Sequence, residues 1–197
     1  MAKLGEKLKT ELRHSWLSNG RRESVAEHTW LTTLMAMTIE PYLPKKVNGE
    51  KLIKMLIIHD LVEIYATDIP AFKTMNSPEM RSNKKQNEIQ AIEKIREILS
   101  DKNGQQFYDL WFEFEGKETY EAKVANALDK LEAQLQHNAA PIETWLPIEY
   151  KMTFMLGRHI DFDPVLSQLK EFIEDEGERK MKEAGINIDD SSLQVQC

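Results

Sequence analysis

Leu56-Ile57-Ile58-His59-Asp60-Leu61-Val62-Glu63 is the segment from which the rest of this chain is best interpreted. If it is helical, one face of the helix contains Leu52, Met55, Leu56, His59 and Glu63. An imidazole and a carboxylate then point in the same direction as apolar side chains. Burying an unpaired ionisable group costs free energy, so each of them needs a partner. For His59 alone, a hydrogen bond to a core carbonyl is a sufficient explanation.

Two more predicted helices carry ionisable residues on or beside an apolar stripe. On the first, His28 shares a face with three apolar residues, Leu31, Met35 and Ile39. On the second, Asp129 lies beside an apolar stripe made of Val124, Leu128, Leu131 and Leu135. Alanines on the flank of Asp129 let another helix approach it closely. Taken singly, His28 is explained as a core histidine whose hydrogen bonds are made within the protein. Asp129 is explained as a surface residue paired with a lysine.

Considered together, these positions predict a metal site. Three helices each direct at least one nitrogen or oxygen ligand inward, and such a mixture suits Mn, Co, Ni, Fe or Zn better than Ca or Mg. A cation also supplies the charge that buried carboxylates require. We therefore expect one divalent transition metal, held by His28, His59, Asp60 and Asp129. Adjacent residues point about 100° apart on an ideal helix, so His59 and Asp60 share a metal only in a distorted arrangement.

Helical periodicity extends through the whole chain, and strand signals are nearly absent. This predicts an all-α, single-domain helical bundle. Ser24 and Glu27 have the spacing of a capping box, and Ser77-Pro78 that of an N-cap followed by a first-turn proline. Predicted helices cover residues 3–14, 24–40, 50–66, 77–99, 104–115, 119–137, 147–158 and 163–185. We expect one domain over residues 1–185, with a functional connection at 67–77, and a mobile tail over 186–197.

The composition narrows the class of protein. The 197 residues are 41% hydrophobic and 30% charged, with a formal net charge of -7, as is usual for a soluble globular domain. An acidic chain disfavours binding to a nucleic-acid polymer, and no apolar run approaches the roughly 20 residues of a membrane span. Cys197 is the only cysteine, which excludes an intramolecular disulfide and a Cys-rich zinc site. We expect a cytoplasmic protein that binds neither nucleic-acid polymers nor membranes.

The order of these motifs resembles a known family. The pattern of His28, then His59-Asp60, then Asp129 is similar to the metal signature of the HD-domain phosphohydrolase superfamily. The likeness extends to four blocks that resemble the HD-domain 5′-deoxynucleotidases: Arg13-x-x-Trp16, Arg22 to His28, His59 to Glu63 followed by Asp68-Ile69-Pro70, and Ala127 to Glu132. It implies a helical bundle of the HD-domain type with one divalent metal. It also implies hydrolysis of deoxynucleoside 5′-monophosphates by a homodimer.

The resemblance also suggests roles for residues outside the metal signature. Glu63 and Asp68 are the predicted catalytic residues, which orient the attacking water and protonate the leaving 5′ oxygen. Because the chain is acidic, a phosphate needs a local basic patch, for which Arg13 and Arg22 are candidates, with Trp16 as a stacking residue. Purely structural roles stay open for three of them: Glu63 as a surface charge, Asp68 as a turn residue, and Trp16 as a core residue. We expect Arg81 to Lys85 to be a solvated helix face.

Two departures from the family pattern accompany the resemblance. Many relatives have glycine at the position of Thr67, and in some the arginine stands directly before the tryptophan rather than three residues before it. Two other functions remain open. One is an HD-type phosphohydrolase acting on a nucleoside triphosphate, a cyclic nucleotide or a non-nucleotide phosphate. The other is a non-catalytic, metal-binding regulatory module. A helical protein whose histidines only satisfy the core would bind no metal at all.

Overall fold

The computed structural model describes residues 1–75, 77–99 and 101–187, and most of them are helical. The helices are Ala2–Gly5 (α1), Val25–Ile39 (α2), Gly49–Ile58 (α3), Glu63–Ala66 (α4), Ala71–Thr74 (α5), Pro78–Leu99 (α6), Asp101–Gly116 (α7), Tyr120–Ala139 (α8), Pro147–Met152 (α9), Gly157–Ile160 (α10) and Pro164–Glu183 (α11). Short 3-10 helices cover Glu6–Lys9, Glu40–Tyr42, His59–Val62 and Ile142–Thr144. The all-α prediction is confirmed. Within the described ranges, no helix has both the length and the apolarity to cross a membrane.

The predicted helix over residues 3–14 is wrong in its second half. Leu12–Trp16 is a strand (β1), paired antiparallel with Arg22–Ser24 (β2). An isolated helix of about a dozen residues is marginal, and in the structure this segment pairs with a strand further along the chain instead. Gly20, with φ of 81°, lies in the connecting turn, where a left-handed conformation suits glycine. The alternation in β1 is too short to be detected in the sequence, and its partner strand has only three residues.

Several helices begin at the N-cap residues predicted from the sequence. Ser24 caps α2 in a capping box with Glu27, and Ser77 Oγ accepts the backbone N–H of Met80 at 3.2 Å. Asp163 Oδ1 accepts the N–H groups of the second and third residues of α11. Each cap satisfies backbone donors that the first helical turn leaves unpaired. Of the predicted tail, residues 188–197 lie outside the described ranges.

Two predicted helices are interrupted in the structure. The helix expected over 50–66 consists of α3, the 3-10 helix His59–Val62 and α4. The helix expected over 147–158 is divided into α9 and α10. The predicted connection over 67–77 contains the short helix α5. The first interruption falls at His59, so the backbone leaves the α-helical course where the predicted metal ligands begin.

The core is built around α8. This helix packs against α2, α3, α7 and α11, and its apolar side chains Val124, Ala127, Leu128 and Leu131 are completely buried. Burial of apolar area at about 25 cal/mol per Å² is the main stabilising contribution to such a packing. A helix enclosed on several sides also carries its polar residues into the interior. Asp129 is therefore buried, with 6% of its surface exposed.

Candidate metal centre and adjoining cavity

The four predicted metal ligands lie close together in the structure. His28 projects from α2, His59 and Asp60 from the 3-10 helix after α3, and Asp129 from α8. His28 Nε2 is 3.5 Å from Asp60 Oδ2 and 3.2 Å from Asp129 Oδ1. His59 Nε2 is 3.2 Å from Asp60 Oδ2 and 3.9 Å from Asp129 Oδ1. Four side chains from three elements thus face one point.

The orientation of the two imidazoles explains how neighbouring residues share this point. His59 Nδ1 donates a hydrogen bond to the Leu56 carbonyl at 2.6 Å. This bond turns the ring so that its Nε2 faces the Asp60 carboxylate. The two side chains can therefore reach one point although adjacent residues diverge on an ideal helix. His28 Nδ1 donates to Glu132 Oε2. Because Nδ1 of each ring is engaged in this way, Nε2 is the nitrogen that faces the centre and can offer its lone pair to a metal.

The centre has the properties of a cation site. The Nε2 atoms of His28 and His59 are buried and make no hydrogen bond, although buried polar groups are normally paired. His28, His59 and Asp60 offer ligand atoms that all lie within 4.8 Å of one another. Two unpaired nitrogens facing two carboxylates match the ligands of a first-row divalent metal. The residues therefore fit the metal that the sequence predicts.

The electrostatics of the two aspartates favour their charged forms. Burial alone would raise the pKa of Asp60, but His59 and His28 lower it below its usual range. For Asp129, burial is likewise outweighed by Lys130 and His28, so its pKa is well below the usual value. Lys130 Nζ lies 2.7 Å from Asp129 Oδ2. Both carboxylates are thus ionised at neutral pH, which is the form that ligates a metal.

A buried carboxylate that the sequence analysis did not single out supports His28 from behind. Glu132 is fully buried on α8 and accepts the His28 Nδ1 proton. Arg13 Nη1 lies 3.7 Å from Glu132 Oε2 and 3.8 Å from Glu23 Oε2, so a cation compensates the two acids. The sequence does carry a signal, because Glu132 follows Leu128 by four residues and lies on the apolar face of α8. Such a partner fixes the tautomer and orientation of a ligating histidine.

We expect Glu132→Gln to weaken metal binding by roughly 10- to 100-fold, because the amide keeps the shape of the side chain but not its charge. Titration of the metal-free protein with Co²⁺ in competition with a chelator measures this affinity. Glu50→Gln is a matched control, since Glu50 is exposed and pairs with Lys54 on α3. Unchanged affinity in the Glu132 variant would contradict a supporting role for this residue.

A cavity of about 290 Å³ adjoins the centre. Its lining includes Asp60 and Asp129, and also the predicted catalytic residues Glu63 and Asp68. Glu63 is buried, with 5% of its surface exposed, and its Oε2 makes no hydrogen bond. Burial, followed by the charges of Asp60 and Asp68, raises the pKa of Glu63 well above its usual value. The structure therefore brings a carboxyl group whose protonated form is favoured and the metal ligands to the same cavity wall.

The loop that carries Asp68 begins with an unusual backbone conformation. Thr67 has φ of 60° and ψ of 152°, a region that is essentially confined to glycine and costs of order 1–3 kcal/mol for other residues. This is the position at which the family resemblance leads one to expect glycine. The glycine-like conformation is thus kept here although the residue is a threonine.

The predicted substrate-binding residues are divided between two locations. Arg13 lines the cavity, and its side chain is 14% exposed. Trp16 and Arg22 lie on the hairpin and are not among the described lining residues. The Arg22 guanidinium donates to the backbone carbonyls of Leu12 and Arg13 and lies over the Trp16 ring at 5.8 Å. Lys84 and Lys130 line the cavity instead, although the sequence predicts a solvated helix face for Lys84.

Comparisons with known proteins agree with this fold. The model of the HD domain family matches residues 5–170. The 5′-deoxynucleotidase HDDC2 of Dictyostelium discoideum is 33% identical over 141 residues, which are 68% of this chain and 72% of that protein. The protein of the same name from Danio rerio is 32% identical over 136 residues, 68% of this chain but only 64% of its own length.

A solved structure is similar over almost the whole chain. The predicted metal-dependent phosphohydrolase from Magnetospirillum magnetotacticum MS-1 is 27% identical, with a TM-score of 0.77, and the match covers 94% of this chain and 93% of that one. A helical domain with clustered histidines and aspartates at a cavity, together with these matches, defines a metal-dependent phosphohydrolase. The chain belongs to the HD domain family, and the family resemblance seen in the sequence is confirmed.

Proposed function

We propose that this protein hydrolyses deoxynucleoside 5′-monophosphates to a deoxynucleoside and phosphate, with a metal held by His28, His59, Asp60 and Asp129. The observation that carries the proposal is the pair of buried, unpaired Nε2 atoms on His28 and His59, which face two ionised carboxylates beside a cavity. The names of the Dictyostelium and Danio relatives support the choice of substrate. Mn, Co, Ni, Fe and Zn all suit these ligands.

The metal would supply Lewis acidity, which lowers the pKa of a bound water and polarises phosphoryl oxygens. The chain must provide the remaining functions. Phosphate-monoester hydrolysis is among the slowest uncatalysed reactions, so charge on the phosphate has to be stabilised from several sides. Arg13, Lys84 and Lys130 supply cationic groups to the same cavity. An arginine fork can donate to two phosphate oxygens at once.

Glu63 and Asp68 divide the proton transfers in this proposal. Because burial and its acidic neighbours favour the protonated form of Glu63, it can donate a proton to the leaving 5′ oxygen. Asp68 lies on the loop that lines the same cavity, where a carboxylate can orient the attacking water. Two carboxyl groups in different environments can thus act as acid and base at one pH. A pure metal store would have no use for either group.

Phosphate release from a panel of 5′-deoxynucleotides and ribonucleotides tests the proposed function. After treatment with a chelator, we expect Mn²⁺, Co²⁺ or Zn²⁺ to restore release from deoxynucleoside monophosphates by at least about tenfold, because the reaction depends on the metal. A variant without the Asp60 carboxylate, prepared in parallel, reports contaminating phosphatase. Metal binding without release from any nucleotide would direct attention to another phosphorylated substrate or to a regulatory module.

The expected homodimer and the expected cytoplasmic location stay predictions. A candidate surface for self-association lies on α2, where Trp30, Leu34 and Met37 recur at helical spacing and are 66%, 44% and 58% exposed. Exposed apolar residues grouped in this way often mark a protein interface. Sedimentation of the full chain at several concentrations measures its association state.

A further inference from the structure

A second polar cluster lines the cavity, and the proposed reaction does not use it. His14 from β1, His137 from α8 and Glu149 from α9 all contribute to the wall. His14 Nε2 is 3.3 Å from Glu149 Oε1, and His137 Nε2 is 3.8 Å from Glu149 Oε2. His137 and Glu149 are each 8% exposed. Three elements that are separate in sequence therefore bring two imidazoles to one buried carboxylate.

Local structure accounts for only part of this cluster. Glu149 Oε2 accepts the backbone N–H of Leu146 at 2.6 Å and so caps α9, and the His137 ring packs on Trp145 with centroids 3.9 Å apart. A helix cap needs neither burial nor imidazole neighbours. Yet the buried Nε2 atoms of His14 and His137, although 3.3 and 3.8 Å from the Glu149 oxygens, make no aligned hydrogen bond within the described residues. Buried polar atoms without a hydrogen bond are costly, which points to a ligand that pairs with this group.

The cluster lies at a suitable distance from the metal centre. Asp129, Ala133 and His137 follow one another at intervals of four on α8, so they share a face, and all three line the cavity. Eight residues of helix correspond to about 12 Å along the axis. A phosphate beside Asp129 would therefore direct the far end of a nucleotide, beyond its sugar, towards His137. Between the two ends, Ala133 presents only a methyl group.

The chemistry at this end suits a nucleobase. The cavity lining also includes Phe72, Met152 and Leu156, and an apolar cavity with a few polar groups is the usual environment of a bound ring. Phe72 contacts the His14 ring edge-on at a centroid distance of 5.0 Å. Leu146 donates to Glu149 Oε2, whereas Oε1 has only the His14 ring nitrogen at 3.3 Å among the described contacts, so a lone pair of Oε1 can accept a hydrogen bond from a ligand. A second phosphate group would be repelled by this carboxylate.

We propose that Glu149, His14 and His137 form the subsite that binds the nucleobase, with Glu149 Oε1 accepting a hydrogen bond from an exocyclic amino group. The inference rests on the proposed function, since it assigns the other end of the same substrate. Bases with an amino group, as in cytosine and adenine, are favoured over uracil and thymine, whose carbonyl oxygens would face the carboxylate.

Glu149→Gln tests this assignment with deoxycytidine and deoxyuridine 5′-monophosphates, whose bases differ in the amino or carbonyl group at C4 and in the proton that only uracil carries on N3. A glutamine that keeps its oxygen on the Leu146 N–H places its NH2 group where Oε1 was, so the helix cap survives while the acceptor becomes a donor. Burial raises the pKa of Glu149 to about 7, so assays at about pH 8 keep the parent residue ionised. The readout is the ratio of kcat/KM for the two substrates.

We expect this ratio to fall by roughly 10- to 100-fold in the variant, mainly through KM, as is usual when a hydrogen bond to a charged group is lost. His137→Phe keeps the ring packing on Trp145 and should raise KM for both nucleotides. Glu143→Gln, at an exposed position on the neighbouring 3-10 helix, is the matched control. 2-Deoxyribose 5-phosphate serves as the substrate without a base.

The outcomes separate the two proposals. An unchanged ratio in Glu149→Gln, or an equal loss on both nucleotides and on the sugar phosphate, would overturn the base subsite while the proposed function stands. A parent protein that releases phosphate from the sugar phosphate but from no nucleotide would refute the nucleotide substrate, and the base subsite with it. A lower ratio without loss on the sugar phosphate supports both.

Discussion

Asp60→Ala should reduce metal-dependent phosphate release by on the order of a thousandfold or more, since a bound cation contributes several kcal/mol to stabilising the transition state. Asp60 Oδ2 lies near both imidazole Nε2 atoms, at 3.5 and 3.2 Å, so its removal takes away the central carboxylate of the cluster. Metal content after dialysis and kcat/KM should therefore fall together. Asp60→Asn, which preserves the shape of the side chain, should also lose both.

The control for this prediction is a surface aspartate. Asp161 is 60% exposed and pairs with Lys170, and an exposed ion pair contributes little to stability. Asp161→Ala should retain metal and activity. Circular dichroism of all variants establishes that the helices are intact. If Asp60→Ala bound the metal as tightly as the parent and kept its activity, the proposed ligand set would be wrong.

Glu63→Gln should lower kcat/KM by roughly 10²- to 10⁴-fold, the usual contribution of a general acid or base. An amide can occupy the same space and donate a hydrogen bond, but it cannot transfer a proton to the leaving oxygen. Metal affinity should stay close to that of the parent, because Glu63 is not among the four proposed ligands. Parallel metal titrations and steady-state assays measure the two effects.

Loss of activity without loss of metal affinity distinguishes the role of Glu63 from that of Asp60. Loss of both metal and activity in Glu63→Gln would make Glu63 a metal ligand rather than a proton donor. Full activity in this variant would leave Asp68 as the acid in the proposed mechanism. Glu50→Gln, on the exposed side of α3, serves again as the isosteric control.

The parts of the fold and site that could be predicted are those that depend on local periodicity. His28 and His59 have the same helical spacing as the apolar residues around them, because both side chains lie on buried helix faces. The capping box at Ser24 is likewise a local signal, and it fixes where α2 begins. From such signals, the helical class and three of the elements around the centre follow.

The remaining features depend on contacts between distant segments. Asp129 lies on the flank of its apolar stripe and is buried only because α8 is enclosed by several helices. β1 depends on a partner strand further along the chain, and Arg22 is drawn into that hairpin by the carbonyls of β1. The meeting of His14, His137 and Glu149 combines a strand and two helices. No window of the sequence contains the information for these encounters.

Thr67 has a consequence for how the site is maintained. A glycine would adopt its φ of 60° without steric cost, but it would also explore more conformations before the chain folds. A threonine is restricted in the unfolded chain, so part of its native strain is offset by a smaller loss of conformational entropy. The strain that remains at Thr67 persists because the surrounding structure holds the backbone in this conformation. The packing around the loop therefore keeps Asp68 at the cavity wall.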